Sequence, residues 1–179
     1  MSRLSIPSYE EAPQASKATL EAVNKKLGVL PNLFRLIGSS SAALAGYMGL
    51  SGALTKTLDA KTRERISLAV SQVNRCDYCL SAHSYISLNM VSLSQDEVTL
   101  NRQGKSYDEK ASAAVGFAAK VTAQRGQVSD EDVALVRQVG FSDAQIVEII
   151  ALVADTTFTN YLNNVAMTEI DFPVVNADD

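Results

Sequence analysis

The sequence lacks the features that would point to a nucleic acid or a membrane. No cluster of lysine and arginine occurs in its 179 residues, and the net charge at pH 7 is −4. Because nucleic-acid binding depends on concentrated positive charge, this composition argues against a nucleic-acid partner. The longest apolar run, residues 146–154, is about half the length of a membrane span and contains Glu148. We therefore expect no membrane partner either.

Signals for β-structure are also scarce. Alternating runs of β-branched residues and Asn-Gly turns are absent. Apolar residues instead recur at spacings of three and four, as Leu20, Val23 and Leu27 do ahead of Gly28, which is a typical helix stop. The sequence predicts an all-α fold of about seven or eight helices. We expect one domain over residues 1–179, with an N-terminal extension at 1–15 and a C-terminal tail at 168–179.

Two segments hint at a weak internal repeat. The stretch AVSQVNRCDYCLSAH can be aligned with VADTTFTNYLNNVA so that Tyr78 matches Tyr161. So few positions agree that chance explains the similarity equally well.

Cysteine and histidine are rare and occur together. Both cysteines and the single histidine lie in NRCDYCLSAHS, residues 74–84. The N-terminus has no apolar stretch of the length that a signal peptide needs, so we expect a cytoplasmic protein. In that compartment a CxxC pair is typical of a catalytic or metal-binding site rather than of a structural cross-link.

The spacing of these residues places their side chains on one face of a predicted helix that Asn74 would cap. At 100° per residue, Cys79 lies about 60° and His83 about 20° from Cys76 around the helix axis. The helix N-terminus favours thiolates, and an imidazole one turn from a cysteine can remove its proton. The second thiol would then close a disulfide on an oxidised first thiol. This arrangement predicts a redox site.

The attacking thiol is identified by weighing two local effects. The helix dipole favours Cys76, which is nearer the helix end. The base favours Cys79, because Cys76 lies two turns, or roughly 10 Å, from His83 along the axis. We favour Cys79 as the nucleophile and Cys76 as the resolving thiol. The alternatives are an inert buried pair and a structural zinc site with Glu64 as an unusual fourth ligand.

The wider pattern around these residues resembles a known signature. Glu64, eleven further residues and then C-x-x-C-x-x-x-H resemble the AhpD-like alkylhydroperoxidases of the carboxymuconolactone decarboxylase superfamily. The flanking stretches LPNLFRLIGSSSAALAGYMGLSGAL and TFTNYLNNVAMTEIDFP are similar to its peroxidase-related branch. The resemblance implies an all-helical fold, a homo-oligomer (trimer or hexamer) and reduction of organic hydroperoxides through a disulfide cycle. It implies no bound cofactor or metal.

The resemblance also assigns roles to the site residues. It makes Cys79 the peroxidatic thiol, Cys76 the resolving thiol, and Glu64 with His83 a proton relay that acts through a water. It implies a lipoyl-bearing or other dithiol protein as the reductant. Tyr78 stands where AhpD itself has a histidine, and a phenol with a pKa of about 10 is a poor base at neutral pH.

We therefore predict a thiol-dependent peroxidase. Its proton relay should be shorter and slower than that of AhpD, because Tyr78 replaces the histidine. The preferred substrate of this protein need not be a peroxide. The alternatives are a general disulfide oxidoreductase or redox sensor, a structural zinc protein, and a family member that acts by decarboxylation or assembly and does not need its thiols.

Overall fold

The computed structural model describes residues 2–179, which form nine α-helices and no strand. The helices are α1 (Gln14–Leu27), α2 (Asn32–Gly38), α3 (Ser41–Leu54), α4 (Ala60–Val73), α5 (Asp77–Asn89), α6 (Gln95–Arg102), α7 (Glu109–Ala123), α8 (Asp130–Gln138) and α9 (Asp143–Ala166). The predicted all-α fold is confirmed. The helix count exceeds the predicted range by one, because elements as short as α2, with seven residues, show little apolar periodicity.

The helix ends follow local sequence signals. Gly28 ends α1 in the left-handed conformation that glycine adopts without strain, with φ of 75°. Asp59 caps α4 by accepting a hydrogen bond from the Thr62 N–H. At α9, Ser142 and Gln145 form a reciprocal capping box. These caps define where α4 and α9 begin, the two helices that pack against the cysteine-bearing α5.

Helix α4 lies at the centre of the fold and packs against α5, α6, α7 and α9. Ile66, Ala69 and Val70 on this helix are fully buried in the main core with residues of α7 and α9. Leu68 is fully buried in a second cluster, with Leu80 of α5. Because α4 is buried on two sides, its position relative to α5 is closely constrained.

The two segments considered as a repeat have different backbones. The first runs from α4 through a turn into α5, whereas residues 153–166 lie within the single helix α9. The structure therefore gives no support to an internal repeat.

The chain ends pack against the helices. In the N-terminal segment, Arg3 N donates to the Ala166 carbonyl at 2.6 Å. In the C-terminal tail, Val175 N donates to Ser81 Oγ at 2.9 Å and Ala177 N donates to Asp77 Oδ1 at 2.8 Å. The tail thus runs along α5, the helix that carries Cys79. None of the helices in residues 2–179 is long and apolar enough to cross a membrane.

A buried carboxylate joins α6 to the central helix. Glu97 accepts hydrogen bonds from Arg65 Nε at 2.7 Å, Asn101 Nδ2 at 3.0 Å, Ser106 Oγ at 2.5 Å and Tyr107 N at 3.0 Å. Burial alone would raise its pKa, but these donors outweigh burial and lower the pKa of Glu97 to about 2. They also explain why the Glu97 side chain does not return a hydrogen bond to the N-cap backbone, although Ser94 caps α6 by accepting from Glu97 N.

We expect Glu97→Gln to lower the free energy of unfolding at pH 7 by about 2 to 4 kcal/mol. The pKa of Glu97 is lowered from 4.5 to about 2 on folding, so its carboxylate stabilises the fold fully above pH 4.5. That contribution is lost as the pH falls from 4.5 towards 2. Denaturant titrations at pH 7, 5 and 3 measure the difference between the variant and the parent.

The matched control is Glu21→Gln, at an exposed position on α1. It should leave the unfolding free energy nearly unchanged at all three pH values. A Glu97→Gln effect that stays constant from pH 7 to pH 3 would contradict the assignment.

Candidate active site

The turn between α4 and α5 differs from the one predicted. Asn74 is the C-cap of α4 rather than the N-cap of the next helix, Arg75 adopts a left-handed conformation with φ of 52°, and Cys76 is the N-cap of α5. The prediction that Asn74 starts the helix and that Cys76 lies in its first turn is therefore wrong. Asparagine suits both ends of a helix, and the turn here is only three residues long. Asp77 occupies the first helical position.

The two sulfurs lie together at the start of α5. Cys76 and Cys79 are joined in a disulfide with a Cα–Cα distance of 5.3 Å, and Cys76 Sγ accepts a hydrogen bond from the Cys79 N–H at 3.3 Å. Cys76 is fully buried and Cys79 is 3% exposed. Free N–H groups at a helix N-terminus stabilise negative charge, so this position favours the thiolate of Cys76 when the disulfide is reduced.

Glu64 and His83 are in direct contact across two helices. Glu64 Oε2 on α4 lies 2.8 Å from His83 Nδ1 on α5, and both side chains are largely buried. Because a carboxylate only accepts hydrogen bonds, this contact places the proton on Nδ1 and leaves Nε2 as the basic nitrogen. His83 follows Cys79 by one helical turn. The pair can therefore receive a proton from a group beside Cys79.

A small cavity opens onto Cys79 and His83. Its volume is about 120 Å³, and Phe34, Tyr47 and Phe172 provide aromatic walls. Cys76 is not among its lining residues. A larger cleft of about 500 Å³ between α7 and α8 contains neither cysteine nor histidine. The small cavity is therefore the candidate substrate site, and Cys79 is the sulfur that a small molecule entering it reaches.

Tyr78 forms part of the wall of this cavity. Its hydroxyl accepts a hydrogen bond from Leu33 N at 3.1 Å, and its ring packs edge-on against Phe172 with the ring centroids 5.8 Å apart. Burial raises the pKa of Tyr78, and the nearby carboxylate of Asp171 raises it further. The phenol therefore stays protonated and holds α2 and the tail against α5.

Helix α9 contributes asparagines that the sequence patterns did not identify. Asn163 Nδ2 donates to Cys79 Sγ at 3.4 Å. Asn160 Oδ1 accepts from Asn74 Nδ2 at 2.9 Å, and Asn164 Nδ2 donates to the Asn74 carbonyl at 2.9 Å. Together they hold the turn that carries Cys76. The one signal in the sequence is the presence of three asparagines within the five residues 160–164, in NYLNNVA.

A second carboxyl group lies near the imidazole. Asp155 on α9 is only 7% exposed. Burial raises the pKa of Asp155 to about 6, although the positive charge of His83 and a hydrogen bond from Ser51 act in the opposite direction. Burial raises the pKa of Tyr47 in the cavity wall, and the negative charge of Asp155 raises it further. The sequence signal was an aspartate in the apolar run ALVADTTF.

The residues of the site are not arranged as metal ligands. Within residues 2–179, no group of three or more His, Cys, Asp or Glu side chains could hold a metal ion. The sulfurs are bonded to each other, and His83 is bonded to Glu64. The four residues considered as zinc ligands thus form two separate pairs.

Comparison with known proteins relates the central part of the chain to a known family. Residues 41–124 match the carboxymuconolactone decarboxylase family. A 37-residue stretch is 51% identical to an uncharacterized protein of Haemophilus influenzae, and it covers 21% of this chain and 33% of that protein. The chain therefore matches about a third of the length of this curated relative.

Solved structures share the whole fold. One from Ralstonia eutropha JMP134, described as an alkylhydroperoxidase AhpD core and peroxidase-related protein, superposes with a TM-score of 0.84 at 26% identity, covering 95% of this chain and 92% of that one. A peroxidase-related protein from Silicibacter sp. TM1040 gives 0.81 at 24% identity, covering 94% and 91%. The debrominase Bmp8 with bound 2,3,4-tribromopyrrole gives 0.79 at 20% identity, covering 96% and 94%. The chain therefore has the fold of the AhpD-like proteins, and its residues 41–124 match the carboxymuconolactone decarboxylase family.

We expect Asp155→Asn to raise the free energy of unfolding at pH 7 by up to about 3 kcal/mol. The pKa of Asp155 rises from 3.8 to about 6 on folding, and each unit corresponds to about 1.4 kcal/mol. Ionising this buried carboxyl therefore costs stability, and the cost grows as the pH rises from 4 through 6. Denaturant titrations at pH 4, 5, 6 and 7 should show that the variant gains most at pH 7.

The exposed residue Asp130 on α8 provides the control. Asp130→Asn should show no gain that grows with pH. An Asp155→Asn variant whose stability parallels that of the parent at all four pH values would show that Asp155 titrates normally.

Proposed function

We propose that the protein is a thiol-dependent peroxidase that reduces organic hydroperoxides through a cycle of the Cys76–Cys79 disulfide. The supporting observation is that Cys79 and His83 line one small cavity while Glu64 lies behind His83 and Cys76 lies within bonding distance of Cys79. The similarity to peroxidase-related proteins agrees with this function.

In the first step, His83 Nε2 accepts the proton of the reduced Cys79 thiol, and Glu64 holds the imidazole and stabilises its positive charge. The thiolate attacks the distal oxygen of the hydroperoxide. An S–O bond forms, the O–O bond breaks, and the departing alkoxide takes the proton from His83 and leaves as the alcohol. Cys79 is thereby oxidised to a sulfenic acid, and the hydroperoxide is reduced by two electrons.

In the second step, Cys76 attacks the sulfur of the Cys79 sulfenic acid. The S–S bond forms, the S–O bond breaks, and hydroxide combines with the proton of Cys76 and leaves as water. A dithiol then supplies two electrons and two protons and is itself oxidised to a disulfide. Because Cys76 is fully buried, the dithiol attacks Cys79 through the cavity, which a slender arm such as a lipoyl group suits.

The cavity favours a small apolar substrate. Its volume of about 120 Å³ and its aromatic walls suit a compact hydroperoxide better than a charged or long-chain one. The burial of both sulfurs disfavours the alternative of a general protein disulfide oxidoreductase, which must present a sulfur to another protein. The homo-oligomer and the cytoplasmic location stay predictions.

We expect one equivalent of cumene hydroperoxide to remove both free thiols of the reduced chain. Cys79→Ser should abolish hydroperoxide consumption, because the attacking sulfur is lost. Cys76→Ser should consume one equivalent and stop at a sulfenic acid, which dimedone labelling and mass spectrometry detect. Consumption by Cys79→Ser at the parent rate would show that Cys79 is not the nucleophile. Metal analysis of the parent protein tests the zinc alternative in the same preparation.

We expect Glu64→Gln to lower the rate of hydroperoxide reduction at pH 7 by about tenfold or more, because the amide no longer stabilises a protonated His83. Stopped-flow measurement of thiol oxidation between pH 5 and pH 9 isolates the chemical step from reduction by a dithiol. Glu21→Gln, which makes the same change at an exposed position, should keep the parent rate. Equal rates in the parent, Glu64→Gln and Glu21→Gln would show that Glu64 takes no part in the relay.

A further inference from the structure

Asn163 is a buried polar residue in direct contact with the sulfur proposed to react. Its Nδ2 donates to Cys79 Sγ at 3.4 Å, and the residue is 3% exposed. Its Oδ1 is buried and has no hydrogen-bond partner among the described residues. Leaving a buried carbonyl oxygen unpaired costs stability, typically about 1 to 3 kcal/mol. A leucine of similar size would avoid that cost, so stability alone does not explain an asparagine here.

We propose that Asn163 is a further catalytic residue, whose side-chain amide stabilises the thiolate of Cys79. Its part in turnover rests on the function proposed above. A hydrogen bond to an ionised acceptor is roughly twice as strong as one between neutral groups. The contact observed with the disulfide sulfur therefore strengthens when Cys79 becomes a thiolate. A donor that prefers the ionised form lowers the pKa of the thiol.

The two sulfurs accept hydrogen bonds from different donors. Cys76 Sγ is stabilised by the helix N-terminus, where it accepts the Cys79 N–H. That arrangement leaves Cys79 Sγ without this cap, and the amide from α9 supplies a donor in its place. Each cysteine can thus carry negative charge in turn, Cys79 when it attacks the oxidant and Cys76 when it leaves during reduction of the disulfide.

The amide reaches the sulfur from outside the substrate cavity. Asn163 lines a separate cleft together with Tyr78 and Asn164, whereas His83 lines the cavity. Substrate can therefore approach Cys79 without displacing Asn163. Because an amide does not titrate, its stabilisation persists while His83 takes up and releases the proton.

Several titratable groups act near this sulfur and stay in place when Asn163 is changed. They are His83 on α5, Glu64 on α4, Tyr47 on α3 and Asp155 on α9, with Asp171 of the tail close to Tyr78. A change in the Cys79 pKa caused by substitution of Asn163 alone therefore reports on the amide.

The test measures the pKa of Cys79 in the full chain with Cys76→Ser, so that a single thiol titrates. The rate of alkylation by iodoacetamide is followed from pH 4 to pH 10. Asn163→Leu should raise the thiol pKa by about one unit or more, because it removes a donor to the charged form. Asn163→Asp, of the same size, should raise it further through the repulsion between two negative charges.

The control is Asn89→Leu, the same substitution at an exposed position at the far end of α5. It should leave the pKa of Cys79 unchanged. Thermal unfolding of each variant shows that the fold is retained. Should Asn163→Leu not fold, Asn163→Ala, which removes the donor without adding a charge, decides the question. A thiol pKa that matches the parent value in the folded variants overturns the proposal.

The thiol titration needs no hydroperoxide, so the two proposals can fail separately. If the parent protein does not consume hydroperoxide but Asn163→Leu shifts the pKa, the proposed function fails and the role of Asn163 at the sulfur stands. If the parent consumes hydroperoxide and the pKa does not move, Asn163 has no catalytic role. In an active protein with Cys76 present, Asn163→Leu should slow thiol oxidation at pH 6 by about tenfold, in line with the pKa shift.

Discussion

The hydrogen bond between Glu64 and His83 is the contact on which the proposed chemistry depends. It joins the central helix α4 to α5, so the imidazole of His83 is held by a helix of the core rather than by a surface loop. The main core packs on one side of α4, and the Leu68–Leu80 cluster lies between α4 and α5. A relay built on two such constrained helices needs little reorganisation when the proton moves.

The position of the sulfurs depends on a different set of contacts. The turn at residues 74–76 is held by its own backbone hydrogen bonds to α4 and by asparagines of α9 that bond to the side chain and carbonyl of Asn74. The same helix provides Asp155 beside the imidazole and Asn163 beside Cys79. Helix α9 thus arranges the redox segment, which explains why Asp155, Asn160 and Asn163 are polar although they are buried.

The sequence predicts some parts of this site much better than others. Cys76, Cys79 and His83 are neighbours along the chain, so the regular geometry of a helix was enough to group them. Glu64 was found from the family spacing, since its periodicity alone also suits a solvated residue. Asp155 and Asn163 lie more than 70 residues from His83 and Cys79 along the chain, and tertiary packing decides those contacts. Asn74 was misassigned because asparagine is favourable at both ends of a helix.

Burial of the disulfide constrains the order of the proposed cycle. Cys76 is fully buried, and Cys79 lines a cavity of about 120 Å³. Oxidant and reductant must then reach the same sulfur through the same small space, so each has to leave before the other enters. Tyr78 and Phe172 form part of the wall, and Phe172 belongs to the C-terminal tail that packs along α5. The tail therefore helps to set which small molecules reach the thiol, even though it carries none of the reacting groups.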